Sequence, residues 1–406
     1  MNNTERIAWF VVEARYEALP KEAIEIAKQG IIDCLGVTLA ACLEPGSRII
    51  TEYARKNRGI PESGVIAGGF KAPACEAALA NGTMAHMLDY DDVSIPFGGH
   101  PSVVLLPAVL ALGEKLRSSG KEVLLAYIVG FEVATRIGLA CFTHHYELGW
   151  HTTATFGTIG AAATAAKLLK LNIDQSRAAF GITASLAGGL KRNFGTMTKP
   201  LHAGNAARNG IIAASLAQQG FTGDKSIFDE SGNFCYVLGS GVQFDLDRAT
   251  KDLGQKFNIC SGLEIKPYPS CRATHAGIDA ALQVKKKYAL NPADIKDSAV
   301  QELISKTKIV VDPQIPKDAL TPVEMKIKLK NGEVLCQKVE AAKGEPKNPL
   351  SPEELFTKFR ECASVVLTLK DVEQTLELTS DLESLKEITP LMEILTFRMK
   401  GAQEKE

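Results

Sequence analysis

Between Thr153 and Leu169 the chain runs through Thr, Gly and Ala, with Phe156, Ile159, Leu168 and Leu169 as its only large apolar side chains. A helix of small residues is thin, and one that is apolar all round must be covered all round. The stretch therefore predicts a buried central helix, with other helices closing on every side of it.

The neighbouring sequence supplies those helices. From Lys21 to about Leu43, Ile24, Ala27, Ile31, Leu35 and Leu39 recur at helical spacing. Val103–Leu116 and Glu122–Leu139 read as two more helices, parted at Ser118-Ser119-Gly120. Asp174–Leu186 and Ala203–Gln219 follow, the latter stopped by Gly220. Residues 1–254 are thus predicted to form one large all-helical domain.

Beyond residue 255 the period changes. Arg272–Tyr288 still reads as a helix, but Lys308-Ile309-Val310-Val311 reads as a strand. Val323–Leu329 alternates with period two and meets Val334–Val339 across Asn331-Gly332, a hairpin signal. Ser351-Pro352-Glu353-Glu354 opens a further helix, with an N-cap, a proline at its first position and acids in its first turn. The expectation is a mainly α protein with a smaller α+β lid domain at 255–375. Residues 376–406, helical from Asp371 to Phe397, would pack back on the first domain.

Charge and cysteine usage narrow the class. Lys plus Arg number 46 against 47 Asp plus Glu, so no basic surplus is present to neutralise phosphates. Nucleic acid is not an expected partner. The start lacks a signal peptide's basic and apolar regions, and no uninterrupted apolar run reaches the roughly 18 residues of a membrane helix. Nine scattered cysteines without a C-x-x-C pair predict reduced thiols in a cytoplasmic compartment. The same scatter argues against a compact zinc or iron–sulfur motif.

The histidines collect where chemistry is displayed. His86 and His100 flank Asp89-Tyr90-Asp91-Asp92, and His144, His145 and His151 surround Gly149-Trp150. His202 follows Lys199-Pro200-Leu201, and His275 follows Lys266-Pro267-Tyr268-Pro269. Taken singly, each has a plainer reading. The aspartates would be solvated loop carboxylates or caps, His86 structural, His151 a helix cap and Lys199 a surface lysine. A two-histidine–carboxylate metal site from His86, Asp89 and His100 is a further alternative.

Taken together, they resemble a known set. Asn81-Gly82-Thr83-Met84-Ala85-His86-Met87-Leu88-Asp89-Tyr90-Asp91-Asp92, with His100-Pro101-Ser102, resembles a signature of the MmgE/PrpD family. Gly149-Trp150-His151-Thr152-Thr153, Gly195–Ala207 and Lys266-Pro267-Tyr268-Pro269 are similar to three more of its elements, in the same order. The family includes 2-methylcitrate dehydratase, cis-aconitate decarboxylase and an iminodisuccinate epimerase. The resemblance implies a helical domain with an α+β lid, a homodimer, and a small di- or tricarboxylate substrate handled without metal or organic cofactor. It implies Asp89, His100, His151, Lys199 and Lys266 as catalytic residues.

Elementary chemistry agrees. Loss of water, carbon dioxide or an α-proton from a polycarboxylate builds negative charge beside an existing carboxylate. Fixed cations must hold that charge while a group of near-neutral pKa moves the proton. Lys199 and Lys266 fit the first role, His100 and His151 the second, and Asp89 can orient an imidazole or act as a base. Arg272, Ser94 and His202 are candidate substrate contacts, with a helix-surface position as the plainer reading of Arg272. The leading expectation is a cofactor-independent lyase, either dehydratase or decarboxylase. An epimerase or isomerase, a non-catalytic carboxylate-binding protein and a purely structural helical protein are the alternatives.

Two departures from the family pattern stand out. Val93 replaces a threonine of the decarboxylase-like members, leaving Ser94 as the adjacent hydroxyl. A family segment with A-K-F-S and a tyrosine has no counterpart before Ile309-Val310-Val311, and a break between Asp294 and Ala299 is the expected position of the loss.

Overall fold

The structure is a computed structural model, and it describes residues 1–141, 144–229, 231–239, 241, 244–288, 308, 310, 321–328 and 332–397. The expected break between Asp294 and Ala299 lies outside the described residues, as do residues 309 and 311 of the expected strand at 308–311.

Helices dominate the chain, and helices α1 (Asn3–Glu13), α2 (Lys21–Ala41), α3 (Pro45–Lys56) and α4 (Ala74–Ala85) come first. A two-stranded ribbon, β1 (Ser63–Gly64) with β2 (Lys71–Ala72), interrupts them. Then follow α5 (Ser102–Leu116), α6 (Gly120–Cys141), the short α7 (His144–Glu147), α8 (Thr152–Leu168), α9 (Ile173–Leu186) and α10 (Thr198–Gln218). The small-residue stretch is α8, and almost every residue in it is buried. It packs against α5, α6, α9 and α10. Gly210 of α10 shows how close these backbones come, because a Cβ built there would stand 2.4 Å from the Ala161 Cβ.

α10 begins five residues earlier than the periodicity suggested, so Lys199 and His202 lie in its first turns rather than in a loop. α6 is the one described helix long and apolar enough by itself to cross a membrane, a length that no uninterrupted apolar run foretold. Here it lies inside the protein, with all but a few residues buried.

After three short helical turns, α11 (Phe234–Leu238), α12 (Asp247–Thr250) and α13 (Ile259–Gly262), the second texture begins. α14 (His275–Lys287) packs on an antiparallel hairpin of β3 (Val323–Lys328) and β4 (Val334–Val339), with Val323 opposite Val339 and Lys328 opposite Val334. Ala276, Ala280, Val339 and Ala342 form a small separate core between them. The overall architecture is the expected mainly α fold with a smaller C-terminal domain.

α15 (Pro352–Ala363) starts at Ser351, which accepts from the Glu354 amide while the Glu354 side chain accepts from the Ser351 amide. It lies along α2, with Phe359 against Gly36. The tail is not one helix but α16 (Leu369–Ser380), a 3-10 turn at Leu382–Ser384 and α17 (Thr389–Leu395).

Candidate active site

Three stretches far apart in sequence, at 89–100, 199 and 266, meet on one carboxylate oxygen. Asp89 follows α4 in a left-handed backbone conformation, φ +51°. Non-glycine residues visit that region uncommonly, and such strain is held where surrounding contacts enforce it. The enforcing contacts are cationic. Lys266 Nζ donates to the Asp89 carbonyl at 2.6 Å and to Asp89 Oδ1 at 2.9 Å. Lys199 Nζ stands 3.2 Å from the same Oδ1, and His100 Nε2 stands 3.7 Å from it. Burial works against the Asp89 charge, but His100, Lys266 and Lys199 outweigh it and hold the carboxyl at about 2.

Each group is placed by ordinary backbone devices. Val93 and Glu264 pair through both their amides, which lays the 89–94 loop beside the strand-like run that carries Lys266. His100 stands just before Pro101, the N-cap residue of α5, and His151 is the N-cap residue of α8. The Trp150–Leu190 bridge and the His151 amide, which donates to the Gly189 carbonyl, fold residues 189–194 over the site. Gly189 is required there, because a Cβ would come within 3.1 Å of the His202 ring.

A chain of imidazoles adjoins the Asp89 cluster. The His86 ring lies 4.4 Å from that of His100 and 5.9 Å from that of His151 between centroids. His151 Nδ1 is 3.0 Å from His202 Nδ1, and the edge of Phe194 closes over the His151 ring. Burial lowers His86 to about 4. Burial, joined by neighbouring imidazoles and Lys199, also lowers His151, and burial with His86 lowers His202. These rings are neutral at neutral pH. His86 Nε2 and His151 Nε2 are both buried without a hydrogen-bond partner among the described residues.

Several plainer expectations are corrected. Asp91 and Asp92 are not solvated loop carboxylates; both side chains are fully buried. Asp91 faces His86 and His100, while Asp92 accepts from the Ser102 hydroxyl and amide. Lys199 is not a surface lysine, its side chain being 14% exposed. Arg272 is neither a helix-surface residue nor a free clamp. It is buried, with its guanidinium on Glu264 and Glu345. Ser94 is buried with its hydroxyl unpartnered among the described residues, and His202 meets His151.

Sequence reasoning missed the residue behind the site. Lys358 of α15 donates to Asp33 of α2, to the Tyr90 carbonyl at 3.0 Å and to the Lys266 carbonyl at 2.8 Å. It thereby ties both site loops to the helical core.

His86, Asp89, Asp91 and His100 have ligand atoms within 4.8 Å of one another, close enough to hold a metal ion. The surrounding charges do not fit one. Two ammonium groups already rest on Asp89, and a divalent cation there would sit beside both.

The comparisons fit this geometry. The pattern of the MmgE/PrpD N-terminal domain matches residues 5–247, and that of the MmgE/PrpD C-terminal domain matches residues 290–384. The chain is 30% identical to a cis-aconitate decarboxylase of Mus musculus, over 98% of this chain and 93% of the relative. It is 28% identical to the cis-aconitate decarboxylase of Homo sapiens, over 98% and 94% of the two chains. A cis-aconitate decarboxylase of Aspergillus terreus is 30% identical over 69% of this chain and 60% of its own. The mouse alignment runs over 468 positions against 406 residues here, so the mouse protein carries residues without a counterpart in this chain. With both domains matched and the relatives aligned nearly end to end, this chain belongs to the MmgE/PrpD family.

Proposed function

We propose that the protein is a cofactor-independent lyase that removes carbon dioxide or water from a small tricarboxylate, with cis-aconitate the first candidate substrate and 2-methylcitrate the second. The observation that carries this reading is the convergence of Lys199, Lys266 and His100 on Asp89 Oδ1, beside the neutral ring of His151. An oxygen held by two ammonium groups, with an imidazole beside them, marks a point where a substrate carboxylate can be held by the same two ammonium donors. The relatives named cis-aconitate decarboxylase favour decarboxylation.

In a decarboxylation the C–C bond breaks, its electron pair stays on carbon and carbon dioxide leaves. A proton must then be added to that carbon. In a dehydration a carbon-bound proton leaves and the hydroxyl departs as water. Either route needs fixed positive charge beside the carbanionic centre and a ring nitrogen that carries one proton. Lys199 and Lys266 supply the charge in this reading, and His100 and His151 carry the proton. Exposed Leu190, Phe194, Met197 and Leu201 around Lys199 support the further proposal that a second copy of the chain covers this side.

The test is incubation of purified protein with cis-aconitate, 2-methylcitrate, citrate and iminodisuccinate, with products identified by NMR. Conversion of a tricarboxylate to its decarboxylated or dehydrated product is the expected result. Turnover of iminodisuccinate alone would replace the lyase by an epimerase, and binding without turnover of any of the four would leave a carboxylate-binding protein.

A further inference from the structure

Asp91 serves two imidazoles at once. His86 Nδ1 lies 3.0 Å from Asp91 Oδ1 and 3.1 Å from Oδ2. His100 Nδ1 lies 2.8 Å from Asp91 Oδ2 and 3.0 Å from the Asp92 carbonyl. Burial opposes the Asp91 charge, yet His86 and His100 hold the carboxyl well below its usual range. Every partner of these two ring nitrogens is therefore an oxygen that only accepts. Each Nδ1 must carry a proton, and a ring that holds one proton only then has its Nε2 bare.

We propose that Asp91 is a positioning residue of the active site, which holds His86 and His100 in the Nδ1–H tautomer and so makes His100 Nε2 a ring atom that can take up and return a substrate proton, alongside His151. The role in turnover rests on the lyase reading; the tautomer assignment does not. A wholly buried ionised carboxylate is costly, and the hydrogen-bond partners of this one among the described residues are two imidazoles rather than a lysine or arginine. The arrangement has a chemical use that plain packing lacks. One carboxylate can balance one imidazolium, and two charged rings 4.4 Å apart would repel, so the trio has room for one further proton, taken up at an Nε2.

His100 is the ring placed to exchange it. Its side chain is 14% exposed and its Nε2 faces Asp89, whereas His86 is fully buried. The other groups facing the trio are Asp89, Lys199 and Lys266 on the open side, His151 and His202 beyond His86, and Asp33 and Asp92 behind. Among these rings His100 alone has one nitrogen on a buried carboxylate and the other on the substrate side.

The experiment is a long-range 15N–1H spectrum of the full-length protein labelled at histidine, recorded at neutral pH. Resonances are assigned by their loss in His86→Gln and His100→Gln. Both rings are expected to show protonated Nδ1 and unprotonated Nε2. Asparagine in place of Asp91 keeps the shape but offers one acceptor oxygen and a donating amide, so in Asp91→Asn at least one ring should move its proton to Nε2. Its kcat should fall on the order of 100-fold or more with KM within about threefold, as for a base left in the wrong tautomer. A wild-type spectrum with either ring protonated on Nε2 would overturn the proposal, whether or not the variant folds. So would an Asp91→Asn protein that keeps both Nδ1 protons and full kcat. Because the spectrum needs no substrate, a wild-type protein inert towards every tricarboxylate would defeat the lyase reading and leave the tautomers to be judged separately.

Discussion

Lys266 reaches Asp89 twice, through the carbonyl at 2.6 Å and the carboxylate at 2.9 Å, and its own side chain is wholly buried. It is thus a fixed cation with little freedom to follow a ligand. Lys199, the second ammonium on the same oxygen, is the partly exposed one.

Lys199 is therefore the residue whose loss a substrate should feel on entry. A carboxylate clamp acts in both the ground state and the transition state. Lys199→Ala should raise KM and lower kcat, each by roughly tenfold. Steady-state kinetics decide this, and an unchanged KM would remove Lys199 from substrate binding.

His151 should behave differently. Its ring is neutral and its Nε2 is buried without a described partner, which suits proton transfer rather than anchoring. His151→Ala should lower kcat by about 100-fold or more while KM moves little. A loss confined to KM would assign His151 to binding instead.

Much of this was legible in the chain because it rests on local pattern. The small-residue run gave α8, and Asn331-Gly332 between alternating segments gave the β3–β4 pairing. Asp89, His100, Lys199 and Lys266 were readable as a set through their motifs, and the structure brings all four to one oxygen. What stayed hidden depends on contacts distant in sequence. Lys358 sits on an amphipathic helix like any solvated lysine, and only the approach of α15 to α2 buries it. Arg272 looked exposed because Glu345, which helps to cover it, lies beyond the hairpin. The aspartates of the Asp89–Asp92 run are alike in sequence, and only the fold separates the one facing lysines from the one facing imidazoles.

Buried histidines give stability a pH dependence with a definite sign. Burial lowers His86, His145 and His275 to about 4, whereas an unfolded histidine titrates near 6.5. Between those values the unfolded chain binds protons that the folded chain refuses, so stability falls as pH drops from about 6.5 towards 4. Asp89, held at about 2, adds a second loss as pH falls below about 4. Calorimetry should show Tm declining steadily from about pH 7.5 to 5. A flat Tm over that range would contradict neutral buried histidines.

Chelators should leave activity intact. The only carboxylates beside His86 and His100 are already occupied, Asp89 by two ammonium groups and Asp91 by two imidazole N–H groups, among the described residues. Activity measured after dialysis against EDTA should equal that of untreated protein. Loss on chelation with recovery on adding a divalent cation would instead make His86, Asp89 and His100 metal ligands.

Lys358 offers a test of what holds the site together. Its ammonium is shared by Asp33 and two site-loop carbonyls, and Asp33 is itself fully buried. Lys358→Met keeps the aliphatic length but strands a buried carboxylate beside two unpaired carbonyls. Breaking one side of such a pair costs about 3–5 kcal/mol. Asp33→Asn in the same chain removes the stranded charge and should recover part of that loss, while the two carbonyls stay unpaired and keep the double variant below wild type. Urea unfolding of the two single variants and the double variant reads both effects. Equal stability of Lys358→Met and wild type would mean that α15 is held to α2 by apolar packing alone.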